Sequence, residues 1–108
     1  PGAEGKAKID GLMDALRNQP PKQVGPFKVT ALEDYKKSVR TDIATGETSA
    51  LALPESNVLY FELEDGAWFC VRPSGTEPKI KYYAGVKGTD AQDAADKLEA
   101  LSKAVVEL

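Results

Sequence analysis

The stretch Trp68-Phe69-Cys70-Val71, Arg72-Pro73-Ser74-Gly75-Thr76-Glu77-Pro78-Lys79, Ile80-Lys81-Tyr82-Tyr83-Ala84 decides how the fold is read. Its two ends are rich in β-branched and aromatic residues, so they predict two strands around a short loop. The loop carries a guanidinium, two hydroxyls, a glycine and two prolines. Pro73 and Pro78 restrict the backbone at both ends, which leaves little entropy to lose on binding. Gly75 lacks a Cβ, so its backbone reaches positive φ and a ligand can approach its N–H. Successive N–H groups in such a turn form a nest for an anion, and Ser74 and Thr76 add hydroxyl donors. Arg72 brings a planar fork that matches two phosphate oxygens. The loop therefore reads as a phosphate clamp. A plain turn is the rival reading, with Arg72 paired to Glu77. Proline and glycine suit either, but arginine, serine and threonine together are more than a turn needs.

Downstream of the loop, Ile80, Tyr82, Ala84 and Val86 alternate with Lys81, Tyr83, Gly85 and Lys87, the pattern of a half-buried strand. Lys79 and Lys81 fall on the opposite side of this strand from Ile80. Upstream, 58–63 and 67–72 flank Glu64-Asp65-Gly66, and an Asp-Gly pair between such segments signals a hairpin. A two-residue turn there would put Leu59, Phe61 and Leu63 on one face with Trp68, Cys70 and Arg72. Tyr60, Glu62, Phe69 and Val71 would take the other. Neither face is then cleanly polar, so either a bulge shifts the register or both faces are partly covered.

Further out, Gly25-Pro26 introduces Phe27-Lys28-Val29-Thr30-Ala31, an alternating strand that can run on to Tyr35. Residues 36–57 are rich in turn formers, and a small hairpin around Thr45-Gly46 is one way to break so long a connection. Ile9, Leu12, Met13 and Leu16 recur at helical spacing over about Lys6–Asn18, and Pro20-Pro21 ends that helix. Residues 1–5 read as a flexible lead-in. After Gly88, Thr89 and Gln92 have capping-box spacing, and Ala91, Ala94, Ala95, Leu98, Leu101, Val105 and Leu108 form one apolar stripe. The expectation is an α+β fold of two layers, a four-stranded, mainly antiparallel sheet packed against two helices.

Composition bounds the function. A chain of 108 residues makes one domain, and 42% hydrophobic with 29% charged residues is ordinary for a soluble globular protein. The formal net charge of −3 argues against a general nucleic-acid binder. No apolar run approaches membrane-spanning length. One cysteine, Cys70, forms no internal disulfide and fits a reducing cytoplasm; within an apolar strand it reads as a buried, inert thiol. With no histidine, Ser-His or Cys-His catalysis and histidine metal sites are excluded. The carboxylates Glu62, Glu64, Asp65 and Asp90, Asp93, Asp96 have the spacing of a hairpin end and an exposed helix face. No activated nucleophile with a base beside it occurs, so no catalytic residue and no metal ligand is assigned. Trp68 and the tyrosines are read as core or interface residues.

The eight residues 72–79, placed after Trp68-Phe69-Cys70-Val71, closely resemble a signature of the α-D-phosphohexomutase superfamily, and the wording of 57–84 is most similar to its bacterial phosphoglucomutase branch. In that family the motif lies in the C-terminal, fourth domain, and the resemblance covers essentially the whole of 1–108. It implies a TATA-binding-protein-like fold. It also implies that Arg72, Ser74, Gly75 and Thr76 hold the phosphate distant from the reacting one, with Lys81, where many relatives have arginine, a further contact. By the same resemblance the catalytic phosphoserine, the Mg2+ loop and the sugar-recognition loop belong to three earlier domains. The full-length enzyme would use Mg2+, not bound by this domain, and glucose 1,6-bisphosphate. The implied partners are glucose 1-phosphate or 6-phosphate and the other three domains. The implied role is a share of a cytoplasmic isomerase, inactive alone. The matching domain of a phosphomannomutase or phosphoglucosamine mutase is the nearest alternative. A non-enzymatic interaction module with a structural loop is the alternative of another class.

Overall fold

The computed structural model describes residues 2–52, 54–74 and 79–106. Helix α1 (Gly2–Asn18) is followed by strands β1 (Gln23–Val24), β2 (Phe27–Asp34), β3 (Val39–Asp42), β4 (Thr48–Ala50), β5 (Leu59–Leu63), β6 (Trp68–Pro73) and β7 (Ile80–Gly85), then helix α2 (Ala91–Val106). All pairings are antiparallel, in the order β4-β3-β2-β5-β6-β7, with β1 paired to β2. Both helices cover one face. Met13 and Leu16 of α1 and Leu101 and Val105 of α2 share one core with Leu59, Phe61, Leu63, Phe69 and Val71. The Phe61 and Phe69 rings stack at 4.5 Å between centroids, and both residues are fully buried. Each such side chain contributes roughly 1.5–3 kcal/mol on burial.

The α+β expectation holds, but the sheet has seven strands, not four. The three extra ones carry no period-two apolar signal. Strand β1 is only two residues long, held by the Gly25-Pro26 turn and the buried Val24. Strands β3 and β4 are Val-Arg-Thr-Asp and Thr-Ser-Ala, none of them fully buried. Turn chemistry makes them instead. The Asp42 carboxylate accepts the Ala44 and Thr45 N–H groups, the Gly46 N–H donates to the Asp42 carbonyl, and Gly46 has φ +77°. The small hairpin at Thr45-Gly46 is therefore present.

Two boundaries also differ. Helix α1 runs from Gly2, not Lys6. Residues 2–5 lack apolar periodicity, but extending an existing helix needs no new nucleus. At α2 the cap is Asp90, not Thr89. The Asp90 side chain accepts the Asp93 N–H at 2.8 Å, and the Asp93 carboxylate reaches back to the Thr89 N–H at 2.9 Å. Gln92, expected to close the box, bonds Asp96. The Thr89 N–H first, and Lys97 next, hold the Asp93 carboxyl below its usual range. In the stripe of α2, Leu98 lies off the buried face and is 39% exposed.

The β5–β6 turn settles the register. Leu63 donates to the Ala67 carbonyl around a three-residue turn, Glu64-Asp65-Gly66, with Asp65 at φ 59° and Gly66 at φ +74°. One extra residue shifts the pairing to Glu62↔Trp68 and Phe61↔Phe69. Leu59, Phe61 and Leu63 thus share the helix-covered face with Phe69 and Val71. Tyr60 and Glu62 share the open face with Trp68, Cys70 and Arg72.

Candidate functional site

The β6–β7 hairpin builds the candidate site. Its last pairs are Arg72↔Lys81 and Pro73↔Ile80, and the Ser74 N–H donates to the Lys79 carbonyl at 2.8 Å. Ser74 and Lys79 therefore close the loop, and Ser74 is half-buried. The predicted contacts at Gly75 and Thr76, and the rival pairing to Glu77, lie outside the described residues. Of the predicted site, the structure brings Arg72, Ser74 and Lys81 together at one end of the sheet.

Arg72 and Lys81 are both exposed and stand directly opposite each other on the open face. Cβ atoms at such positions lie about 4.5–5.5 Å apart, where like charges destabilise a sheet. Among the described residues neither side chain has a hydrogen bond or an ion pair, whereas Arg40 on the same face is paired to Glu62 at 2.8 Å. Two facing cations at the mouth of a loop make a local positive field on an acidic chain. An anion between them would convert that repulsion into attraction.

Along the same face the neighbours are aromatic. Tyr60 and Trp68 stack at 5.4 Å with planes 13° apart. Trp68 lies flat across Gly85, where an added Cβ would come within 2.5 Å of its Nε1. Gly85→Ala therefore lifts the indole off the sheet. The expected result is about 1–3 kcal/mol of lost stability and a shifted Trp68 emission maximum, read in a urea titration followed by fluorescence. Cys70, expected to be buried, is half-buried on this open face between Tyr60 and Tyr83. Burial pushes its thiol up, and the Arg72 charge opposes that. Tyr35 donates to Glu33 at 3.1 Å, and burial first, then Glu33, pushes it up to about 12, so it stays a neutral donor.

The sequence reading missed one polar cluster at the same end of the sheet. Arg17 of α1 donates from Nε to Asp34 Oδ2 at 2.9 Å and from Nη2 to Asn57 Oδ1 at 2.9 Å. Asp34 Oδ1 accepts the Lys36 and Lys37 N–H groups. The Arg17 and Asp34 side chains are 6% and 7% exposed. Asp34 pairs with Leu59, and Leu59 with Val71, the residue before Arg72. The cluster thus anchors α1 to the loops beside the hairpin. A lone Asp at a strand end next to Tyr-Lys-Lys gave no signal of this.

Among the described residues no group of three or more His, Cys, Asp and Glu could hold a metal ion. Also among them, no helix is long and apolar enough to cross a membrane.

Comparison with known proteins then decides the family. Residues 16–103 match the family model described as phosphoglucomutase/phosphomannomutase, C-terminal domain. The chain belongs to this family. The match spans α1's last turn to α2's and so contains every strand. Among its relatives, a phosphoglucomutase of Staphylococcus aureus (strain MRSA252) is 41% identical over 100 residues, covering 93% of this chain and 18% of the relative. Phosphoglucomutases of strains bovine RF122 / ET3-1 and MSSA476 are each 40% identical over the same shares. The chain therefore spans about a fifth of the length of the curated relatives it matches. No solved structure was found to match it.

Proposed function

We propose that the chain is the phosphate-holding domain of a sugar-phosphate mutase, interconverting glucose 1-phosphate and glucose 6-phosphate when joined to the rest of a longer polypeptide. The observation that carries this is the facing pair Arg72 and Lys81, exposed and without partners among the described residues, at a loop closed by Ser74 and Lys79. Arg72 grips two phosphate oxygens through its fork, Lys81 adds a point charge, and the Ser74 hydroxyl and the Gly75 and Thr76 groups complete the clamp. Such contacts read phosphate oxygens and no sugar stereochemistry. A ligand phosphorylated at both ends, such as glucose 1,6-bisphosphate, can then turn end for end and be held either way. Closing this domain over the ligand positions the reacting end and excludes water. The reacting group, its magnesium and the sugar-reading contacts are assigned to the remainder of the polypeptide, in the cytoplasm.

The names of the relatives favour glucose, and the family description leaves mannose as the second reading. Assaying the longer polypeptide on the 1-phosphates of glucose, mannose and glucosamine separates them. The expected result is the highest kcat/KM with glucose 1-phosphate and no turnover by the 108-residue chain alone. Turnover of none of the three by the longer polypeptide would overturn the proposal.

A further inference from the structure

The sheet ends in β4 on one side and in β7 on the other, and the two edges differ in kind. Strand β4 is Thr48-Ser49-Ala50, three exposed residues, and an edge so short and polar offers little to another strand. Strand β7 runs over six residues, Ile80-Lys81-Tyr82-Tyr83-Ala84-Gly85, of which only Lys81 is charged. The hairpin fixes which of its backbone groups face outward. The Ser74 N–H donates to the Lys79 carbonyl, and every second pair of an antiparallel ladder exchanges such bonds, so Lys81, Tyr83 and Gly85 turn theirs toward β6. Pro73, which has no N–H, falls in a pair that exchanges none. The N–H and C=O groups of Ile80, Tyr82 and Ala84 therefore point away from the sheet, and no backbone group among the described residues bonds them. Along this edge α2 leaves an apolar groove of about 290 Å³, lined by Tyr82, Tyr83, Ala84, Leu98, Ser102 and Val105. Tyr83 and Leu98 are the exposed large hydrophobic residues among those described, at 47% and 39%, and both stand here. Natural sheets shorten, charge or cover such an edge unless it pairs with something.

We infer that β7 is a pairing edge for a second copy of this chain, joining two sheets into one across a two-fold axis at Tyr82. Self-complementarity chooses that occupant. Antiparallel pairing about this axis sets Tyr82 against Tyr82, Ile80 against Ala84 and Lys81 against Tyr83 of the other copy. All three outward-facing residues of each copy then find backbone partners. The one charge in β7 meets an aromatic ring rather than a like charge, an attraction of the cation–π kind. An axis perpendicular to the sheet keeps both helix layers on the same side, so α2 of one copy flanks α2 of the other. Leu98 then enters the groove of the other copy, where the small Ser102 leaves room. Area sets how firm the pairing is. A strand of six residues at about 3.4 Å is ~20 Å long, and the sheet with its helix layer is ~20 Å deep, which gives ~400 Å² per copy. The total of ~800 Å² is below the ~1,200 Å² of a stable complex, so the dimer is weak and reversible, with a Kd on the order of 100 μM.

Sedimentation velocity of the 108-residue chain, whose sheet and helices share one core, tests this between about 10 μM and about 1 mM. The expected result is a reversible monomer–dimer equilibrium, with dimer dominant at the top of the range. Leu98→Glu places a charge in the groove, and Ala84→Pro removes an outward N–H without touching a bond to β6. Each should weaken association by about tenfold or more, whereas Ser49→Glu on β4 should leave it unchanged. Far-UV circular dichroism checks that the variants are folded. Leu98 is an exposed helix position, so Leu98→Glu carries the test even where Ala84→Pro does not fold. The register has its own readout. In a mixture of isotope-labelled and unlabelled chains, filtered NMR should show an NOE between the Hα protons of Lys81 in one copy and Tyr83 in the other, which face each other in the closely spaced pair. A chain that stays monomeric at about 1 mM would overturn the inference. So would a dimer that survives Leu98→Glu, or one without the NOE between Lys81 and Tyr83.

Discussion

Arg72→Ala in the longer polypeptide should lower kcat/KM for glucose 1-phosphate by about a hundredfold to a thousandfold. A charge-assisted hydrogen bond contributes roughly 1.5–3 kcal/mol, and a guanidinium fork makes two. Even at the lower value that is ~3 kcal/mol, with each 1.4 kcal/mol a factor of ten. The fold should not suffer. The Arg72 side chain is exposed, makes no hydrogen bond among the described residues, and faces Lys81, so its removal relieves a repulsion. A urea titration should place the variant within about 0.5 kcal/mol of the parent. Arg72→Lys keeps the charge and loses the fork, and should recover only part of the activity. Steady-state kinetics with unchanged kcat/KM for Arg72→Ala would instead mean that the hairpin is structural.

Asp34→Ala should have the opposite profile, with a large loss of stability before any loss of chemistry. Asp34 is 5% exposed, and its carboxylate is matched by Arg17 Nε and by the Lys36 and Lys37 N–H groups. Removing it leaves a buried guanidinium with only the exposed Asp14 carboxylate, at 3.6 Å, as counter-charge, and two amides without that acceptor. Breaking a buried pair from one side costs about 3–5 kcal/mol, a large share of a small domain's total. Asp34→Asn keeps an acceptor oxygen for the two amides and should lose less than Asp34→Ala. Chemical denaturation of the two variants checks the order. Equal stability of Asp34→Ala and the parent would show that the cluster does not hold α1 to the sheet.

What could be read from the sequence follows from where the physics is local. Ile80, Tyr82 and Ala84 alternate with Lys81 and Tyr83, and the observed strand obeys that alternation, because one side packs on helices and the other does not. The break between β6 and β7 was legible because Pro73, Gly75 and Pro78 interrupt two apolar runs. Strands β3 and β4 carried no strand pattern of their own, and only the turn between them, at Thr45-Gly46, was legible. Their pairing rests on Asp42 and Gly46, which act through turn hydrogen bonds and a positive φ. The face carried by Trp68 depended on whether two or three residues form the turn at Asp65, and Gly66 is compatible with both. Arg17 and Asp34 are 17 residues apart, and only tertiary packing brings them together.

The most direct test is a backbone amide NMR titration of the 108-residue chain with glucose 1-phosphate, with sulfate and free glucose as comparisons. An open clamp of this kind should bind near the millimolar range, about −4 kcal/mol, after the costs of ordering and desolvation. The account predicts fast-exchange shifts centred on Ser74, Gly75, Thr76 and Lys81, produced by glucose 1-phosphate and sulfate and not by glucose. Shifts produced equally by free glucose, or none in this hairpin at tens of millimolar anion, would contradict it.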